Sequence, residues 1–216
     1  MHRPLPFRLD DSTALADAMA CAPFATLITR DADGWLADHL PMLRIAEREG
    51  APLGVLRGHV ARTNPLVAGA TTRPALAIFH GPQAYITPSW YPAKREHGRV
   101  VPTWNYQVVH AHGTLRLIDD ASWLRDTVAA LTDHFERDRT HPWSIEDAPA
   151  GFIDGLCRGI VGVELVIERL DGQRKASQHK PDAERAAIQR GLIDECGFDE
   201  ASAHCLSGWR ETDERH

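Results

Sequence analysis

Between Gly81 and Tyr106 the chain reads GPQAYITPSWYPAKREHGRVVPTWNY, which holds Tyr85, Trp90, Tyr91, Trp104 and Tyr106, five of its fifteen aromatic residues. The interleaved prolines and glycines and the basic group Lys94, Arg95, His97 and Arg99 fit neither an ordinary strand nor an ordinary helix. Aromatic faces stack on planar ligands and neighbouring cations hold charged substituents, so this composition suits a flat molecule with polar edges. A loop whose tryptophans plug the end of a barrel would read the same way.

A second group is RGHVARTNP, Arg57 to Pro65. Asn64 followed by Pro65 is an N-cap followed by the residue suited to the first helical position, so free backbone N–H groups would follow a strand directly. With Arg62 beside them and Gly58 permitting close approach, they form a candidate phosphate cradle. Many helices begin with Asn-Pro and hold nothing. His110 and His112 would share one face of a strand, a spacing open to a metal pair or to two solvated histidines, but no carboxylate or cysteine accompanies them there, and no metal site is expected. KASQHK, Lys175 to Lys180, is either a solvated linker or a polar clamp on a ligand's edge. No GxSxG, HExxH, P-loop or GxGxxG occurs and no nucleophile stands out, so no catalytic residue is assigned. Cys21, Cys157, Cys196 and Cys205 lack zinc-finger spacing and are expected as buried free thiols.

The elements that must position these groups follow from periodicity. Asp10, Asp11 and Ser12 open a helix to about Ala20. PFATLITR, a DADG turn at Asp31 to Gly34 and WLADHLPMLRI form a hairpin, and EREGAP makes the next turn. Leu53 to Val60, Pro74 to His80 and Gln83 to Thr87 are further strands. From Trp104 to Ile118 apolar and polar residues alternate in a half-buried antiparallel strand. A helix with Leu124, Val128, Leu131 and Phe135 on one face follows, then a helix near Glu146 to Cys157 and a strand in GIVGVELVIERL. GQRKASQHK is a polar connector, PDAERAAIQRGLIDEC is a helix, and a ragged tail closes the chain. Six to seven antiparallel strands without strand–helix alternation point to an α+β barrel.

The formal net charge of -6 opposes a smooth grip on a nucleic-acid backbone. Nowhere do eighteen apolar residues follow one another and the N-terminus has no signal-type run, which gives the expectation of a cytoplasmic protein without a membrane span.

Taken in order, PFATLIT, DHLP, RGHVARTNP, GPQAYITPSWYP, HGRVVPTWNY, VHAHGTLRLI and KASQHK resemble the PaiB family of FMN-binding negative transcriptional regulators, from the N-terminal helix to about Leu192. His179 and Lys180 depart from the asparagine and basic residue that usually follow Ser-Gln in that family. The resemblance implies an antiparallel split β-barrel like that of pyridoxamine-phosphate oxidases, with peripheral helices and a C-terminal helical segment. Residues 1–170 would form the FMN-binding domain and residues 171–216 a connector and helical tail packed on it. It further implies a homodimer with FMN where the subunits meet. His59, Arg62 and Asn64 would take the phosphate. His39, Pro41, Thr87, Ser89, Trp104, Asn105 and Tyr106 would line the ring and ribityl chain, and Lys175, Ser177 and Gln178 match the last motif. Two other functions suit the same architecture: an FMN-dependent oxidoreductase with Trp90, Trp104 or Tyr106 as a stacking wall, and a haem-binding split barrel. DNA binding has no helix-turn-helix or basic recognition helix to support it.

Overall fold

A computed structural model describes residues 1–31, 34–46 and 49–209. The centre of the Asp31–Gly34 turn, residues 47–48 of the second turn, and the tail from residue 210 lie outside the described residues.

The elements in chain order are β1 (Arg8–Leu9), α1 (Ser12–Cys21), β2 (Phe24–Arg30), β3 (Trp35–Pro41), β4 (Leu43–Ile45), β5 (Val55–Ala61), α2 (Pro65–Ala68), β6 (Thr72–Ile86), α3 (Ala93–Glu96), β7 (Thr103–Ile118), α4 (Ala121–Glu136), α5 (Phe152–Cys157), β8 (Ile160–Lys175), α6 (Asp182–Asp194) and α7 (Glu200–Ser207). The strand order is β3-β2-β6-β7-β8-β5-β4, with β1 pairing on β8; β2–β3 and β4–β5 are hairpins, and β2–β6, β5–β8 and β1–β8 are likewise antiparallel. The fold is α+β, an antiparallel split barrel.

Five expectations change. The two strands placed at 74–80 and 83–87 are one strand, β6, running through Gly81 and Pro82. The connector after residue 170 continues β8 as far as Lys175 and pairs with β1, Gln173 opposite Arg8. The helix placed at 146–157 is a 3-10 turn at Ile145–Asp147 and then α5, separated by Gly151 in the left-handed region at φ 75. The tail contains a helix, α7, capped by Asp199 and stopped by Gly208 at φ 64. All four cysteines are free, but Cys21 and Cys196 are exposed.

The chain forms two compact units. The larger holds residues 19–79 and 110–170. Its inner sheet face carries Ala25, Leu27, Ala77, Phe79, Ala111, Leu115, Val163 and Leu165, all buried, as strand alternation demands. Gly113 is required there, because a Cβ on it would lie 1.9 Å from Val166 O. On the outer face α4 packs over β5 and β8: Trp123 lies on Gly162, and the Arg57 guanidinium sits 5.1 Å from its ring centroid while bonded to buried Glu164. Leu124, Thr127 and Leu131 are the buried side of α4, whereas Phe135 is exposed.

The smaller unit joins residues 1–18, 80–109 and the described chain from Asp171 on. Ile86, Tyr91, Ile188, Leu192, Ala203 and Leu206 form its core, so α6 and α7 close over the segment that follows β6.

Candidate functional site

In the larger unit the hairpin register places Thr26 opposite His39, Ile28 opposite Ala37 and Arg30 opposite Trp35, while Thr26 and Ile28 also face Ile78 and Leu76 on β6. These residues share the outer sheet face. Trp35, Ala37 and His39 are exposed and Thr26, Ile28, Leu76 and Ile78 half-buried, so an apolar face with polar points stays open to solvent. His39 Nδ1 is 3.2 Å from Thr26 Oγ1. A cleft of about 590 Å³ lies on this face, lined by Ile28, Arg30, Trp35, Leu76 and His112 among others.

The β3–β5 crossing fixes the next group. A Cβ at Gly58 would stand 2.6 Å from Pro41 O, so glycine lets the end of β3 lie directly against β5. Asn64 caps α2 as its position in the sequence requires, Oδ1 accepting from Leu66 N at 2.7 Å. Its Nδ2 donates to Asp38 Oδ1 at 2.7 Å, which ties the helix start to β3. With four residues, α2 is too short for a developed macrodipole. Arg62 is engaged elsewhere: Nε donates to Arg158 O at 2.8 Å, one terminal nitrogen to Ile160 O at 3.0 Å, and both terminal nitrogens grip Asp119 at 2.6 and 2.7 Å. That fork holds the Asp119 carboxyl below its ordinary range. His59 differs. Its Nδ1 is buried without a hydrogen-bond partner, and burial pushes the imidazole below its ordinary value. The buried Asp38 Oδ2 also lacks a partner.

In the smaller unit the aromatic segment divides. Tyr91 is buried under Lys180, whose Nζ is 4.1 Å from the ring centroid, and Trp90 packs on Gly191, where a Cβ would meet the ring at 2.3 Å. Burial and then the Glu184 carboxylate push the Tyr91 phenol up. These two are core. Tyr85 and Trp104, 49% and 55% exposed, meet edge to face at 6.2 Å and present the open aromatic surface. Thr87 caps the turn that follows β6, accepting from Ser89 N at 3.2 Å, and Ser89 Oγ accepts from Lys94 at 3.0 Å.

The start of β7 and the end of β8 interlock through side chains. Asn105 is fully buried, its Nδ2 donating to Ser177 Oγ at 2.9 Å and to Leu206 O at 2.8 Å. Ser177 adopts φ 57, a left-handed backbone rare outside glycine. Gln178 braces the same bend, accepting from Ala176 N at 2.7 Å and donating to Arg174 O at 2.6 Å. Lys175 Nζ donates to Thr103 Oγ1 at 2.5 Å, and Gln173 Nε2 donates to Tyr106 Oη at 2.8 Å. Asn105, Ser177 and Gln178 therefore hold the frame, while Lys175 and Tyr106 keep donors to spare.

Asp38, Thr103 and Gln173 were not singled out in the sequence. Asp38 sits in the DHLP motif beside His39, and the open face of Trp35, Ile28 and Leu76 was implicit in the alternation of β2 and β3. Thr103 and Gln173 carry no local signal, since only tertiary pairing brings them to Lys175 and Tyr106.

The larger unit thus holds a buried imidazole nitrogen without a partner, and the smaller unit, by itself, an exposed Tyr85–Trp104 pair, the Lys175 ammonium and the Tyr106 phenol. The solved structures similar to this chain agree on the fold. A FAD and haem binding protein from Mycobacterium smegmatis is 18% identical with a TM-score of 0.56, covering 83% of this chain and 79% of its own. The flavocytochrome Anf3 from Azotobacter vinelandii is 11% identical with a TM-score of 0.58, covering 86% and 78%. The fold is thus that of an antiparallel split barrel. The family model described as "Putative FMN-binding domain" matches residues 1–169, and the chain belongs to that family, with FMN as its cofactor. Protease synthase and sporulation protein PAI 2 of Bacillus subtilis is 26% identical over 196 residues, 90% of each chain. A protein of Emericella nidulans, AN0679, is 32% identical over 166 residues, 64% of this chain, and one of Aspergillus fumigatus, AFUA_5G13800, 33% over 172 residues. The chain spans 66% of the length of each of these fungal relatives. No helix among the described residues is long and apolar enough to cross a membrane.

Proposed function

We propose that this chain is a flavin-binding regulatory protein that works as a homodimer, holding FMN where two copies meet and acting on transcription without reading DNA itself. The observation that carries the dimer is the open outer face of β2, β3 and β6, where Ile28, Trp35, Ala37, Leu76 and Ile78 remain in contact with water. A second copy laid on that face would bury it.

FMN supplies redox chemistry and a ring whose charge changes with its state; the chain's part is to bind and orient it. His59 is the anion-facing donor of the phosphate end, and Asn64 shapes that end by pinning α2 to Asp38. Arg62, its charge balanced by Asp119, fixes the end of β5 against the start of β8. His39 and Pro41 border the open face. Tyr85 and Trp104 offer a wall for the ring, Thr87 and Ser89 lie on the turn after β6, and Tyr106 and Lys175 present donors to its polar edge.

Indirect regulation follows from charge. α7 carries no Lys or Arg, α6 carries Arg185, bonded to Gly208 O and Asp182, and Arg190, and Lys94 and Arg95 of α3 occupy a single helical turn. A gel shift at physiological salt is expected to show no preference for the protein's own promoter over random DNA; selective retardation of the promoter would overturn indirect action.

A further inference from the structure

Resting on the flavin-site reading of Tyr106, we propose that Gln173 is a positioning residue: its carboxamide donates to Tyr106 Oη and thereby leaves the phenolic proton free to be donated to a carbonyl oxygen on the flavin's polar edge. Gln173 lies in β8, beyond the part of the chain that the family model matches, and is 3% exposed. Its backbone is held in register opposite Arg8 of β1, so the side chain has a fixed origin.

A phenol has one proton and accepts through its lone pairs. With one lone pair engaged by Gln173 Nε2 at 2.8 Å, the O–H is directed away from the amide, and Tyr106 is only half-buried. The amide turned the other way would accept that proton and bury two N–H donors. As placed, one N–H is engaged by Tyr106 Oη and the buried Oε1 has no partner, an unsatisfied carbonyl being better tolerated than an orphaned donor pair. That unpartnered oxygen is a cost to stability with no return inside the unit, the kind of local exception expected at a functional position. Lys175, two residues along β8, donates to Thr103 Oγ1. The end of β8 thus engages two donors, the Tyr106 phenol and the Lys175 ammonium. A flavin's pyrimidine edge carries carbonyl oxygens that accept from such groups.

The test is an FMN titration of the full chain carrying Gln173→Met, Tyr106→Phe and both, with Gln173→Leu as a second apolar replacement if the first unfolds. Affinity is followed by flavin fluorescence, and the flavin carbonyl stretch by infrared difference spectroscopy. Each single replacement should weaken FMN about two- to tenfold. Both should shift the carbonyl stretch in the same direction, and the double variant should be no worse than Tyr106→Phe alone. A shift produced by Tyr106→Phe but absent in both Gln173 variants, or fully additive losses, overturns the positioning role while leaving the flavin site intact. Tyr106→Phe without effect, or wild-type protein that binds no FMN, overturns both.

Discussion

Asn105 shows how a motif residue can serve a site through the frame that carries it. It stands in the most distinctive stretch of the sequence, yet it is fully buried and bonded to Ser177 and to Leu206 O. Asn105→Ala should cost about 1–3 kcal/mol by leaving the Leu206 carbonyl unsatisfied, measured by urea unfolding. His59 gives a pH signature. Burial holds its folded value below the ordinary value of about 6.5, so the unfolded chain binds the proton more readily. Stability is therefore intact above about pH 6.5 and declines as pH falls from there towards the lowered folded value, and His59→Gln should flatten that part of the curve. A phosphate dianion beside the ring favours the imidazolium, so FMN affinity should rise over the same fall in pH in wild type and not in His59→Gln. The sequence marked the regions of these residues well and their individual partners poorly. Nothing local distinguishes the free imidazole of His59 from the engaged fork of Arg62, because Asp119, Arg158 and Ile160 reach Arg62 only through tertiary pairing.

Periodic elements were legible where pattern and burial agree. β7 is read directly from its alternation, and α4 from its apolar face and the Asp120 cap. Gly-Pro is a strong local loop signal, yet β6 runs through it against β7, where Gly81 lies on Gln107, while β2 pairs only with Ala75–Ile78. The end of β8 was read as a linker because it is polar. Its polarity is interior: Gln173 and Lys175 bond Tyr106 and Thr103. α7 carries its own start and stop in Asp199 and Gly208, and low apolar content masks them because it buries only Ala203, Leu206 and the polar Ser207. Close approach between β7 and β8 makes a sharp prediction. Gly113→Val would drive side-chain atoms into Val166 O and should destabilise the larger unit by about 1–3 kcal/mol or more, read from thermal unfolding.

At the level of the whole molecule, acidic balance, an open apolar sheet face and a family defined by FMN binding favour a dimer that senses or uses flavin over a direct DNA reader. Ile28→Glu on that face adds a charge without touching the core, so it should shift the protein towards monomer in sedimentation while leaving the far-ultraviolet spectrum unchanged. The most direct measurement is size-exclusion chromatography of the FMN-loaded protein with light scattering and visible absorbance on one stream. A single peak of dimer mass carrying flavin absorbance, with one FMN for each chain, is the predicted result. A monomer that retains flavin, or a dimer that elutes without it, would contradict the proposal that two copies hold the cofactor together.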